Sequence, residues 1–521
     1  MTPRKTVPRK TVHKIILFFV SFLLFSSIVL QPRIALASTA VVNPNQVYSY
    51  KVMQRDIEKL ATLYPDLISY ESLGQTAYGR DLWAVRLGRG PSVLSLNGSH
   101  HAREWMTTSV LMKMLDTYAT AYYSNEKIGN YNVRSLLDNV SLWIVPMVNP
   151  DGVTLSQQGT AGVSASLAST LRKYNGNSNN FSRWKANMQG LDLNRQYPAN
   201  WSTIKNAAPY PSYHNYKGTR PAQAPEVQMM MDFTRKVDPE ITISYHSSGE
   251  IIFWNFNTLS SNLARDKKLA VDLHNLTGYS LVQPEKNPSG GGYKDWFIQE
   301  FKRPGFTIEI ARYAGEGSVP LSEFNRIWSE NKEVGLYSAK QSYDLWIGKQ
   351  KVQYIQKTMS LLAGTELYFK IGAKESIAAV PPQEIKVIAS KGDWYQVSTQ
   401  QGNGWIHPAP GVLAAVETIA KTADLKVKTT LYKYPDAFAP KVSVLNPQTV
   451  QVKGKWGDWL LVSSGSGMWW MNGKGIELKD PVVEKVEPIA KPIEAIAAPE
   501  QTPAAAEELS EPAAPAAPVA P

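Results

Sequence analysis

The chain has 521 residues, 55 basic against 44 acidic side chains for a formal charge of +11, and no cysteine. That length asks for two to four domains, and the missing thiols exclude thiolate metal sites, cysteine catalysis and a disulfide framework. The basic residues are scattered, which speaks against nucleic acid and for general solubility or a screened attraction to an anionic surface.

In chain order, Arg4, Lys5, Arg9, Lys10 and Lys14 precede an apolar run over 15–30 and an Ala35-Leu36-Ala37 step before Ser38. This is the build of a cleaved signal peptide, too short in its apolar core for a full span. No later stretch crosses a bilayer on this reading, so the mature chain is expected outside the cell and without a membrane anchor. Residues 45–64 read as a helix capped by Ser49, with Val52, Ile57, Leu60 and Tyr64 at helical spacing and Pro65 as the stop. Strands follow at 81–87 and 92–96, a helix at 105–122, and a strand at 140–148 that ends in Asn149-Pro150-Asp151-Gly152, a turn sequence. Apolar strands at 241–245 and 306–310 and a helix at 322–342 complete an alternating pattern. It predicts an α/β domain on a mixed, largely parallel sheet flanked by helices.

Beyond Gly348 the texture changes to short strands, tryptophans and Gly-Asp turns, and it repeats. Thr365-Glu366-Leu367-Tyr368 returns as Thr429-Thr430-Leu431-Tyr432, Pro382-Gln383 as Pro447-Gln448, Gly392-Asp393-Trp394 as Gly457-Asp458-Trp459, and Gly404-Trp405 as Trp469-Trp470. Near-constant spacing over four landmarks predicts two copies of one small all-β barrel of five or six strands. Trp394 and Trp459 read as core residues, whereas Trp405, Trp469 and Trp470 are open to lining a ligand groove. After Lys479 a Pro/Ala/Glu tail has too few apolar residues to build a core and is expected to be disordered.

The chemistry gathers where strands end. His101 and Glu104 lie three apart in Gly98-Ser99-His100-His101-Ala102-Arg103-Glu104, at the turn from a strand into a helix, so both side chains reach one side. His246, at the end of another strand, supplies a second imidazole. Two imidazoles and one carboxylate hold zinc and leave a fourth position for water, whose pKa falls toward about 7. Glu309, at the end of the strand over 306–310, is the candidate general base, with a structural ion pair to Arg312 as the plain alternative. His101, His246 and Glu309 all fall at carboxyl ends of strands, where open α/β sheets carry their sites. The remaining histidines read blandly: His100 packs beside the site, His214 is a loop residue, His274 is helical, and His407 belongs to the first repeat.

Residues 45 to about 345 resemble the zinc carboxypeptidase superfamily through His101-x-x-Glu104, Asn149-Pro150-Asp151-Gly152, Asp192-Leu193-Asn194-Arg195, Tyr216-x-Gly218, His246-Ser247, Gly291-Gly292-x-x-Asp295-Trp296 and Phe306-Thr307-Ile308-Glu309. The resemblance implies one Zn²⁺ held by His101, Glu104 and His246, with Glu309 as base. It implies that Asn194 and Arg195 grip a substrate carboxylate, with Arg103 beside them among the substrate-binding residues. Lys185 stands where digestive carboxypeptidases carry an arginine that polarises the scissile carbonyl, and there it acts as a point charge. The family's tyrosine lies just before the glycine pair, where Asn287 stands; Tyr293, after the glycines, is the nearest candidate for that catalytic role.

The segment Trp184-Lys185-Ala186-Asn187 followed by Asp192-Leu193-Asn194-Arg195 is similar to the bacterial branch of γ-D-glutamyl-meso-diaminopimelate peptidases, which cut peptidoglycan stem peptides. In that superfamily the position two after the glycine pair faces the base of the pocket for the residue after the cut, and the resemblance puts Lys294 there. A buried lysine needs an anionic partner; diaminopimelate carries a carboxylate at its side-chain end, and a plain glutamate side chain would satisfy Lys294 as well. The repeats resemble bacterial Src-homology-3-like domains that attach hydrolases to walls. The chain thus divides into a signal peptide (1–37), a zinc peptidase domain (38–348), repeats at 349–412 and 413–479, and the tail (480–521). The expectation is a secreted or wall-associated, monomeric zinc metallopeptidase of stem peptides. The rivals are an extracellular metallocarboxypeptidase of proteins and an inactive wall-binding protein.

Overall fold

The computed structural model describes residues 40–465 and 467–481. The expected signal peptide and all but the first residues of the tail lie outside them. Among the described residues no helix is long and apolar enough to cross a membrane.

One mixed eight-stranded sheet organises the first part. Its strands are β1 (Ile68–Gln75), β2 (Asp81–Gly88), β3 (Ser92–Gly98), β4 (Val140–Val145), β5 (Ile241–Ser247), β6 (Ile251–Phe253), β7 (Ser280–Leu281) and β8 (Gly305–Ile310). They lie in the order β1-β2-β4-β3-β5-β8-β6-β7. The central neighbours β4, β3, β5 and β8 run parallel; β1 and β2 pair antiparallel to their neighbours, and β6 is antiparallel to β8 but parallel to β7. Side chains alternate across the sheet, as strand geometry requires. Val85 and Leu87 of β2 enter one core with α1 (Tyr50–Leu63), α2 (Met106–Ser124) and α6 (Val334–Lys349), while Leu82 and Ala84 enter the other. That second core packs against α4 (Pro225–Val237) and α5 (Tyr293–Phe301).

Several expected elements are present with shifted ends. Ser49 caps α1, its hydroxyl accepting from the Val52 amide at 3.4 Å. The Asn149-Pro150-Asp151-Gly152 segment, expected as a turn, opens α3 (Pro150–Gln158) instead. Asn149 is its N-cap and Pro150 fills the first position, where no backbone donor is needed. The single helix expected over 322–342 is two, Phe324–Asn331 and α6. The edge strand β1 had no counterpart in the sequence reading, because Ser69, Tyr70, Glu71 and Ser72 make it polar and largely exposed.

The C-terminal part forms two antiparallel sheets of seven strands each, over Gln353–Leu361 to Leu413–Ala414 and over Glu417–Asp424 to Leu478–Lys479. Numbering the strands within each, both sheets have the order 3-2-6-5-4-1-7. The count exceeds the expected five or six because each sheet adds a two-residue closing strand beside its first.

Candidate active site

The turn after β3 is fixed before any side chain reaches the site. At Gly98 a Cβ would come within 2.9 Å of the Thr107 hydroxyl and 3.0 Å of Leu111. Ser99 takes a left-handed φ of 54° and donates its amide to Thr107 Oγ1 at 2.8 Å. The chain then makes a short 3-10 turn, Ala102–Glu104, which brings His101 and Glu104 to one side. The neighbouring segment is zipped onto this turn. Ala102 and Arg103 donate their amides to the carbonyls of Lys185 and Trp184 at 3.0 and 2.9 Å. The Asn149 amide reaches the carbonyls of His100, Lys185 and Ala186 at 3.1, 3.3 and 3.1 Å.

β5 delivers His246 to the same point, and β8 sets Glu309 directly beside it in parallel register. Ligand atoms of His101, Glu104 and His246 all lie within 4.8 Å of one another. Glu104 spans the two rings, with Oε1 2.8 Å from His101 Nδ1 and Oε2 2.9 Å from His246 Nδ1, while the two Nδ1 atoms are 3.2 Å apart. The Ser247 amide donates to Glu104 Oε2 at 3.2 Å. On the far side of His101, Asp192 Oδ1 lies 3.2 Å from Nε2. An acceptor there selects the tautomer whose Nδ1 lone pair faces the cluster, a common support for a metal-ligating imidazole. Two inward nitrogens and a carboxylate, all buried, form a donor set that matches zinc.

The charges of the cluster depend on one another. Burial opposes charge on Glu104, yet the two imidazoles hold its carboxyl well below the usual range. His101 is raised against its burial by Glu104, and His246 is lowered by burial. Burial, reinforced by the nearby Glu104 carboxylate, pushes Glu309 up to about 8. Arg312 is not its partner; that guanidinium is exposed and lies 4.0 Å from Glu250.

A cavity of about 330 Å³ opens from this cluster, and His101, Lys185, Asn194, Arg195, Lys294 and Glu309 all line it. Arg195 is anchored by Nη1 on the Lys205 carbonyl at 2.9 Å and lies 3.6 Å from Asp192. Asn194 Oδ1 accepts the first amide of α5 at 3.0 Å. Lys294 is buried and pairs with Asp295 at 2.7 Å, so the anion that a buried lysine requires comes from the chain itself. Arg103 turns to the carbonyl of Glu316 at 2.8 Å, away from the cavity wall. Tyr293 does not fit the role considered for it. It is fully buried in the second core, and its hydroxyl meets Thr234 at 2.9 Å and Thr242 at 3.4 Å, turned away from the cluster.

Two contributors escaped the sequence reading. Asp192 was visible only as the first letter of a motif, and it acts on a ring 91 residues away. Asn149 was read as a turn residue, although its amide ties two loops of the site together.

A family model described as zinc carboxypeptidase matches residues 53–334. The chain is 36% identical over 300 residues to γ-D-glutamyl-L-diamino acid endopeptidase 1 of Lysinibacillus sphaericus, covering 57% of this chain and 73% of that one. It is 30% identical over 308 residues to the uncharacterized protein YqgT of Bacillus subtilis, covering 58% and 80%. Among solved structures, thrombin-activatable fibrinolysis inhibitor aligns over 58% of this chain and 75% of its own at 21% identity, with a TM-score of 0.48.

Proposed function

The chain belongs to the zinc carboxypeptidase family, and from that premise we propose that it is an exported metallopeptidase that hydrolyses the γ-D-glutamyl–diaminopimelate bond of peptidoglycan stem peptides. The observation that carries the reading is one cavity lined by His101 of the His101, Glu104 and His246 cluster, by Glu309 and by the buried Lys294. The 36% identical relative, named for γ-D-glutamyl-L-diamino acid cleavage, supports the choice of bond.

His101, Glu104 and His246 would hold the metal, and Asp192 keeps His101 in the required tautomer and orientation. When bound, zinc supplies a Lewis acid and brings the pKa of a water toward neutrality. Glu309 takes the proton of the attacking water and returns it to the departing amine, so that one water and one amide become a carboxylate and an amine. Lys185, held on the wall by the zipped segment, places a positive charge where the carbonyl oxygen turns negative. Arg195 and Asn194 orient a substrate carboxylate, Arg195 with its fork already pinned at one end. The two C-terminal sheets, over 349–412 and 413–479, are Src-homology-3-like anchors that raise the local concentration of wall substrate.

The test is incubation of the mature protein with defined stem peptides, read by mass spectrometry. Fragments beginning with diaminopimelate are expected from the wild type. Glu309→Gln should lose about 100- to 10,000-fold in rate while still retaining one zinc per chain by metal analysis. Cleavage of ordinary protein C-termini with stem peptides untouched would defeat the murein assignment and leave the peptidase standing.

A further inference from the structure

The two imidazoles of the cluster are not supported alike. His101 gives its outer nitrogen to Asp192, 3.2 Å away. His246 turns Nδ1 toward Glu104 at 2.9 Å, and its buried Nε2 meets no hydrogen-bonding protein group among the described residues. A ligand imidazole ordinarily has its ring plane set by a bond on the second nitrogen. Here packing does that work. His100 lies against the His246 ring, with centroids 5.7 Å apart and planes within 19° of parallel. His101 meets the same ring edge-on, at 65° and 4.7 Å, so of these two neighbours His100 alone offers a face.

His100 is itself pinned. It is fully buried, and its Nε2 shares a hydrogen bond of 2.9 Å with the Tyr197 hydroxyl. Tyr197 is held in turn by its amide on the Gly291 carbonyl at 3.0 Å and by Trp296, stacked at 5.9 Å. Packing alone does not call for an imidazole at this position. The rings of Tyr197 and Tyr293 beside it belong to the second core, and His100 Nδ1 is buried with no protein partner among the described residues. A phenyl ring would fill the space without that unpaired polar atom, whose burial costs stability. The directional bond to Tyr197 is what the imidazole adds.

We propose that His100 and Tyr197 are positioning residues for the metal centre: the Tyr197 hydroxyl fixes the His100 ring, and that ring sets the orientation of His246. The pair does for His246 what Asp192 does for His101. This rests on the reading of His101, Glu104 and His246 as zinc ligands. Tyr197 lies two residues beyond Arg195, so the same bond also ties the ligand turn to the segment that grips the substrate carboxylate.

The experiment takes the wild type, His100→Ala, His100→Phe, Tyr197→Phe and the double Phe variant. It measures zinc affinity by chelator competition, the visible spectrum of the cobalt(II)-substituted protein, and the melting temperature of the metal-free protein. His100→Ala should weaken zinc binding about 10- to 100-fold and shift the cobalt bands. His100→Phe, which returns a flat face, should recover most of that loss. Tyr197→Phe should cost about as much as His100→Phe, and combining the two should add nothing, because the hydroxyl acts through the imidazole. Unchanged affinity and bands in His100→Ala overturn the inference. So does an affinity that falls only in step with the metal-free melting temperature while the bands stay in place. A wild type that retains no zinc overturns the metal centre and the inference together. Where His100→Ala fails to fold, Tyr197→Phe, which removes a single oxygen, decides by the same readouts.

Discussion

Glu226 keeps a proton in the folded protein that the unfolded chain releases. It sits in the first turn of α4, where backbone amides favour an anion, and the Asn187 amide lies 3.3 and 3.4 Å from its two oxygens. Burial outweighs both and raises its pKa from 4.5 to about 7, with the Asp151 carboxylate adding to the shift. The native state therefore binds more protons than the unfolded state between those two values. Its contribution is fully present below pH 4.5, falls as pH climbs toward 7, and by pH 8 has withdrawn about 3 kcal/mol. Glu226→Gln, neutral at every pH and close in shape, should melt near the wild-type temperature at pH 4.5 and several degrees above it at pH 8. Thermal melts of both proteins across that range measure the effect, and parallel curves would show that Glu226 is ionised in the fold.

At the scale of elements, the site depends on loops that are far apart in sequence and joined by one side chain. Asn149 caps α3 through its side-chain oxygen, which accepts the Gly152 amide at 3.0 Å, and its amide group holds carbonyls from the metal-ligand turn and from the Lys185 segment. Asn149→Ala removes a cap and leaves buried carbonyls unanswered, about 2 to 4 kcal/mol together. It should lower the melting temperature and also weaken zinc retention against a chelator. A loss of stability with zinc affinity unchanged would show that the cap alone matters. The same loops explain what could be read in advance. β3, β4, β5 and β8 announced themselves as apolar runs because both their faces are covered, and His101-x-x-Glu104 was legible because its geometry is local. Asp192 against His101 and Asn149 against Ala186 are contacts of tertiary structure, so no spacing in the chain signals them. Tyr293 misled for a related reason. Counting along the chain placed it near the glycines, but as the first residue of α5 it points into the core.

Across the whole molecule the two repeated sheets share a strand order and differ in what covers them. In the first, Trp394 is 7% exposed, joins the main core, and donates its indole N–H to the Tyr343 hydroxyl of α6 at 3.0 Å. A Cβ on Gly392 would come within 2.8 Å of Trp346 and Ile347 of the same helix. In the second, the matching Gly457 has nothing within 4 Å of such a Cβ, and Trp459 is only partly buried, edge-on to Tyr432. The second sheet is held elsewhere, by Arg89 bonded to Asp436 and by Phe438 against Tyr122 and Tyr123 at 4.9 and 5.1 Å. Arg89 follows β2, which runs antiparallel to β4, so this contact lies at the amino ends of the parallel strands. The candidate site occupies their carboxyl ends, a strand length of about 20 Å away. The first sheet's Trp394 is thus spent on docking, while the second sheet's Trp459 stays partly exposed and remote from the cavity, the face on which the proposed wall anchor would act. Trp394→Ala should destabilise the protein by about 3 kcal/mol or more, read as a lowered melting temperature. Trp459→Ala should leave the melting temperature nearly unchanged and reduce cosedimentation with insoluble peptidoglycan. If Trp459→Ala sediments as fully as the wild type, that open face is not the wall contact.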